Sequence, residues 1–282
     1  MMTRIKYLTA FFTCLIIGLT VSGCSTGEPS QELVNLRENV QQMQQASQRA
    51  LDMMQVQNTY SKHAYYHAVG MHLEELADIW VKEDGPYAET ATWTSAAGIW
   101  EGLELIKDYY GTYNLKNRQK NLEAISKISP EIENVPENIG AGSEWVMHTQ
   151  TTPIIEVAGD GQTAKGMWYS PGIMQRAFIK DGKAEMSGGW FWEKYAVDFI
   201  KEDGEWKIWH IGMYYDPTPP GWGAVQEEEP FVEAGERTDD LIQPKPSKPN
   251  PDPYEGWTPT NMPGLQPKFP EPYYTFSETF SY

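Results

Sequence analysis

Fourteen of the 20 prolines in this 282-residue chain fall after Asp216. Proline fixes φ and removes a backbone donor, so residues 216–282 are a poor home for a helix or a central strand. The folded domain is therefore read within residues 31–215. The same proline-rich stretch carries Trp222, Tyr254, Trp257, Tyr273 and Tyr282, and a solvated linker is poorer in aromatics than this. It is read as an irregular C-terminal extension that lies on the domain or on a neighbouring subunit, with a solvated tail as the alternative.

The other end is constrained by export. Arg4 and Lys6 precede an apolar run from Tyr7 to Val21. The run is short for a membrane span of ~20 residues and has the layout of a signal peptide. It closes on Leu19-Thr20-Val21-Ser22-Gly23-Cys24, which resembles a bacterial lipobox. Residues 1–23 are read as signal, Cys24 as the lipid-carrying first residue of the mature protein, and residues 24–30 as a tether. Cys14 lies inside the signal, so the mature chain has no partner for a disulfide and no thiolate pair for a metal. Cleavage also removes Arg4 and Lys6 and leaves 20 basic residues against 39 acidic, a formal charge of −19. Such a surface repels nucleic acid and anionic headgroups. Membrane attachment is expected through the lipid alone, with the choice of inner or outer membrane left open.

Between these ends, Leu33, Leu36, Val40 and Met43 recur at spacings of three and four among polar residues. That narrow stripe predicts an amphipathic helix over 31–54, suited to a partner helix or a neighbouring subunit. Helix continues to about Val81 with a turn at Gly70, and a second helix runs from Leu103 to about Tyr113. A short strand is placed at 89–93, and residues 114–142 read as a polar loop. From Glu144 onward the pattern is an antiparallel meander at 144–157, 163–170, 174–180, 185–201 and 205–215, punctuated by Gly159-Asp160-Gly161, Asp181-Gly182 and Asp203-Gly204. The run 185–201 has apolar residues at both parities, as in a strand covered on both faces or sharply bent. Helices first and strands after them define an α+β fold.

The order of four strings, Leu76-Ala77-Asp78-Ile79-Trp80, Gly98-Ile99-Trp100-Glu101-Gly102, Ala164-Lys165-Gly166-Met167-Trp168 and Asp203-Gly204-Glu205-Trp206-Lys207-Ile208, resembles the SnoaL-like group of the nuclear transport factor 2-like superfamily. The resemblance covers about residues 50–215, with the domain drawn at 55–215. It implies a cone of helices packed on a strongly curved sheet around an apolar pocket, commonly a trimer, and no metal or organic cofactor. It is closest to lyases such as bile acid 7α-dehydratase and scytalone dehydratase.

The resemblance also places His148, in Trp145-Val146-Met147-His148-Thr149, at the family's catalytic histidine. A histidine suits this work because its free pKa of ~6.5 lies near neutrality. The family's capping-helix aspartate falls at Val69, a strand position at Gly172 and a basic position at Tyr215. Its strand motif reads Tyr195-Ala196-Val197-Asp198-Phe199, with valine at the acidic place. The His–Asp pair is thus not present as such. Tyr65, Ala68, Val69 and His72 lie at i, i+3, i+4 and i+7 on one helical face, so Tyr65 and His72 are candidates to face His148. His63 and His67 are read as surface residues. The set His63, His67, His72 is not read as a zinc site, because no third acidic ligand is evident. Candidate walls for substrate are Val69, Trp100, Trp168, Trp190, Tyr195 and Tyr215, which favour a hydrophobic aromatic or polycyclic compound. Three functions follow: a cofactor-free lyase or isomerase, a lipoprotein that binds such a compound without changing it, and an assembly protein acting through its N-terminal stripe and C-terminal extension.

Overall fold

The computed structural model describes residues 30–142, 144–216 and 242–282. The signal segment and Cys24 lie outside the described residues, as does the stretch of the C-terminal extension from 217 to 241. Contacts divide the chain into a unit ending at Gln44 and a unit from Gln45 to Tyr282. The described part of the first is helical, and Leu33, Leu36, Val40 and Met43 are exposed along it. That helix, α1, spans Gln31–Ala68 and passes residue 54 without a break.

Within the second unit α1 is followed by α2 (His72–Ile79), β1 (Thr92–Ser95), β2 (Gly98–Glu101) and α3 (Leu103–Ile106). A wider π turn at Lys107–Tyr113 continues α3 into α4 (Asn114–Ile128). The strands β3 (Glu144–His148), β4 (Thr151–Val157), β5 (Thr163–Lys180), β6 (Lys183–Glu202) and β7 (Glu205–Asp216) complete it. The sheet runs β2-β1-β7-β6-β5-β3, with β4 also on β5. It is antiparallel except where β1 joins β7 in parallel, and it does not close. The α+β class holds.

Local chemistry sets the meander. Asp181-Gly182 and Asp203-Gly204 all have positive φ, from 50° to 83°, the geometry of two-residue hairpins that matches strand twist. They join β5 to β6 and β6 to β7 in continuous register, apart from a shift beside Asp198. The two strands expected at 163–170 and 174–180 are one, β5, passing through Pro171. Proline is tolerated there because the far side of β5 changes partner, from β4 at Tyr169 to β3 at Gly172. The single strand expected at 144–157 is two, separated at Thr149-Gln150 and irregular at Thr152, whose φ is +48°. The polar loop expected at 114–142 is corrected to a helix, α4. Its buried residues are only Leu122 and Ile125, one turn apart, too short a stripe to register among ten polar residues.

From Lys194 to Ile200 both faces of β6 are covered, as its two-parity apolar pattern predicts, whereas Trp190 and Trp192 are exposed. Tyr195, Val197 and Phe199 point into the main core beneath α1, where Tyr60 packs on Trp168, Tyr195 and Phe199. The alternate positions face the C-terminal extension. There Lys165 Nζ donates to Asp198 Oδ1 at 2.6 Å, and His210 Nδ1 lies 2.8 Å from Asp198 Oδ2. The Tyr282 amide and the Ser281 hydroxyl both donate to that Asp198 oxygen, at 2.9 and 3.0 Å. The Lys165 ammonium lies 4.6–5.0 Å from the ring centres of Phe276, Phe280 and Tyr282, a cation–π box. Burial alone would raise the Asp198 carboxyl; the His210 hydrogen bond and the Lys165 charge outweigh it and hold it below its usual range.

Asp198→Ala should cost about 3–5 kcal/mol, because it strands the buried Lys165 ammonium, and should make residues 242–282 accessible to protease. A depressed carboxylate contributes stability above its unfolded pKa of ~3.9 and loses it as pH falls through the lower folded value. Acid titration of wild type followed by limited proteolysis should therefore release the extension only below about pH 3.9.

Candidate functional site

The buried stripe of α1 is Asp52, Val56, Tyr60, His63 and on to His67, recurring at three and four. Its inner end carries two imidazoles toward the strands. The chain then reverses at Gly70, whose φ is +71°, and Arg118 Nη1 donates to the Gly70 carbonyl at 3.1 Å. The reversal lays His72 and Glu75 of α2 beside His63 and His67. From the sheet, β3 delivers His148, β5 Ser170, and β6 Glu193 and Tyr195. Gly172 pairs with His148 across β3 and β5. A Cβ at 172 would stand 2.5 Å from Phe191 and 2.8 Å from the His148 Cβ, so glycine lets the histidine strand lie this close.

Glu75 organises the cluster. It is fully buried; its Oε1 accepts from His63 Nδ1 at 2.8 Å and its Oε2 from the Tyr110 hydroxyl at 2.8 Å. Trp80 Nε1 stands 3.5 Å from the same Oε1. His148 Nδ1 shares a 2.7 Å hydrogen bond with Ser170 Oγ and lies 3.8 Å from Glu193 Oε2, which accepts from the Tyr195 hydroxyl at 2.9 Å. Arg118 Nη2 donates to His72 Nε2 at 3.0 Å. The His148 ring is 5.2 Å from that of His63 and 4.8 Å from that of His67.

With one nitrogen of His63 and one of His148 so fixed, the other two, both Nε2, face inward with His67 Nδ1. One ring nitrogen of each of the three histidines lies within 4.8 Å of the others, and His63 Nε2, His67 Nδ1 and His148 Nε2 have no hydrogen-bond partner among the described residues. A buried polar atom left without a partner costs about 1–3 kcal/mol, so each of these nitrogens calls for a partner such as water or an ion. Burial, and then the neighbouring His63, push His148 down to about 3. Burial, Arg118 and His63 do the same to His72, and His67 is lowered by burial and by the other histidines. These rings are neutral at physiological pH. Burial raises the Glu193 carboxyl to about 7, against the opposing pull of Tyr195 and His63.

The structure brings some of the predicted residues together and separates others. His148, Trp168 and Tyr195 are buried at or beside the cluster. His72 is buried too, but its ring packs on Tyr110 and His67 rather than on His148. Tyr65 is 80% exposed and Val69 67% exposed; Tyr65 lies on the face of α1 opposite the His63 stripe, because two residues' advance turns a helix by about 200°, and Val69 lies in the turn just after the helix. Trp190 and Tyr215 are also exposed. Trp100 is occupied otherwise: its ring stacks on Tyr109 at 4.0 Å and its indole donates to the Pro244 carbonyl at 3.0 Å. His63 and His67, expected on the surface, are corrected to members of the cluster. Glu75, Glu193, Ser170 and Tyr110 were not anticipated. A stripe through Val56, Tyr60 and His63 was legible and would have turned His63 inward; nothing local marks Glu75 apart from the exposed Glu74 beside it.

A helix hairpin laid on an open, mostly antiparallel sheet, with a buried histidine–glutamate cluster between them, defines an α+β domain with an interior polar centre. The chain belongs to the SnoaL-like domain family, whose profile matches residues 48–212, more than half its length. No curated protein matches it significantly. Among solved structures it is similar to LinA, at 15% identity over 66% of this chain and 99% of that one, with a TM-score of 0.39. It is also similar to a type 2 hexachlorocyclohexane dehydrochlorinase (17%, 65% and 99%, 0.37). A third is the CamKII hub homology domain of Chlamydomonas reinhardtii (14%, 58% and 98%, 0.36). At these values family membership rests on the profile match.

Replacing Glu75 with leucine removes the acceptor of His63 and Tyr110 together and should destabilise the fold by on the order of 2–6 kcal/mol, read as a lowered denaturant midpoint. Glu74→Leu, on the outer side of the same helix, should change it by less than about 0.5 kcal/mol.

Proposed function

We propose that this chain is an exported, lipid-anchored lyase or isomerase acting on a hydrophobic ring compound. The observation that carries the reading is the convergence of the His63, His67 and His148 nitrogens in an otherwise aromatic interior. Such a centre takes hold of one oxygen of a largely apolar molecule. Elimination or isomerisation then needs a group that moves a proton, and Glu193, 3.8 Å from His148 with the Tyr195 hydroxyl on it, stands in that place. A carboxyl near 7 is well matched to giving and taking a proton at neutral pH. Lyase chemistry of this kind is within the reach of the SnoaL-like family to which the chain belongs. A homo-oligomer is part of the reading, supported by the exposed Trp145, Met147, Tyr169 and Trp192 on neighbouring strands.

The full chain in detergent, incubated with a panel of hydroxylated aromatic and polycyclic compounds, should release one of them with the mass of water lost, or with unchanged mass and altered chromatographic mobility. His148→Ala and Glu193→Gln should each slow that conversion by about 10²–10⁴-fold. Ligand held tightly yet recovered unaltered would replace this reading with that of a binding lipoprotein. Cys24→Ala should abolish incorporation of labelled fatty acid and leave the protein in the unprocessed form; incorporation that persists would remove the lipid anchor from the reading.

A further inference from the structure

We propose that His63 Nε2, His67 Nδ1 and His148 Nε2 form a binding site for one divalent transition-metal ion, with zinc as its natural occupant and a further coordination position open to water or a substrate oxygen. The inference deepens the reading of the histidine centre by naming the group on it, and it rests on that centre being the working site. The three donor atoms come from two elements, α1 and β3, which is why no helical spacing reveals the set. One ring nitrogen of each histidine lies within 4.8 Å of the other two. A tetrahedral ion with bonds of about 2.0–2.1 Å holds its nitrogens about 3.3 Å apart, so small rotations of the rings about their side-chain bonds complete the site.

Three features point to a metal rather than to a network of hydrogen bonds among the rings. All three inward nitrogens are without partners, and His63 and His148 are more than nine-tenths buried. The outward nitrogens of those two rings are each held: His63 Nδ1 by Glu75 at 2.8 Å and His148 Nδ1 by Ser170 at 2.7 Å. A ligating imidazole is held this way, its far nitrogen tied to a carboxylate or a neutral oxygen so that the near one is aimed at the ion. The surrounding charge also fits. Glu75 and Glu193 supply two carboxylates just outside the ligands, while Arg118 is hydrogen-bonded to His72. Three imidazoles and no thiolate suit zinc, cobalt, nickel or copper and disfavour magnesium and calcium. His67 is half-buried, the least covered of the three, and gives the ion its way in.

The test uses the full chain in detergent, stripped with chelator and titrated with zinc and, separately, with cobalt. The expected result is one ion per chain and, for cobalt, the visible absorption of a tetrahedral nitrogen-ligated centre. His67→Gln, at the half-buried position, should weaken zinc binding at least about 100-fold with circular dichroism unchanged. Glu75→Gln, which keeps a hydrogen-bonding group beside His63, should weaken it about 10–100-fold. His72→Gln should leave it within about threefold. Absence of stoichiometric zinc in folded wild-type protein, or affinity indifferent to His67→Gln, overturns the site. Full conversion of substrate by metal-stripped protein would overturn the position open to a substrate oxygen while leaving the lyase reading intact. Tight zinc with no compound converted would sustain the site and remove the lyase reading.

Discussion

The buried carboxylate of Glu75 is the constraint on which the rest of the cluster depends. A fully buried carboxylate is tolerated only when donors replace the water it has lost. Its donors come from separate elements: His63 from α1, Tyr110 from the π turn after α3, and the adjoining Trp80 from the residue that ends α2. Satisfying one side chain therefore sets the packing of three helical segments. It also fixes the rotation of the His63 ring, and through that ring the direction in which Nε2 points. The π turn has a reason here. Widening the helix between Lys107 and Tyr113 brings the Tyr110 hydroxyl onto Glu75, and such turns are frequent where a helix serves a site.

A second buried ionic group does comparable work on the opposite face of the sheet. Asp198 gathers Lys165, His210, Ser281 and the Tyr282 amide, so the C-terminal extension is bound by a charged centre rather than by apolar area alone. Proline-rich backbone cannot extend the sheet by regular pairing. It covers the sheet instead through aromatic side chains, three of them around the Lys165 ammonium. The segments 163–168 of β5 and 194–200 of β6 are thus interior on both faces, with the histidine cluster on one side and an ion pair on the other.

Much of this was legible in the sequence. The hairpin turns were readable because Asp-Gly pairs accept the positive φ that a two-residue turn requires. The double cover of β6 was readable from apolar residues at both parities. The helix face was misread because Tyr65 and Val69 also satisfy a three-four spacing. Periodicity identifies a stripe but cannot choose between two stripes when both carry aromatic residues. Extending the pattern back to Val56 and Tyr60 decides it, since these two apolar residues lead directly to His63 whereas the stripe through Tyr65 meets Lys62 and Gln55 nearby. The centre itself was hidden for a different reason. Its histidines come from α1 and from β3, eighty residues apart, and only the fold places them together.

The same comparison changes what the missing aspartate means. Val69 stands where the resemblance places an acidic residue, and it faces solvent. An acid there would be hydrated and unable to orient a buried ring. A carboxylate one helix further on, at Glu75, reaches His63 at hydrogen-bond distance and does so without exposure. What the chemistry needs is a buried carboxylate on an imidazole nitrogen, whichever helix supplies it. The valine therefore leaves a buried histidine–acid pair in place, with a different histidine and a different acid, in an interior walled by Tyr60, Trp168 and Tyr195.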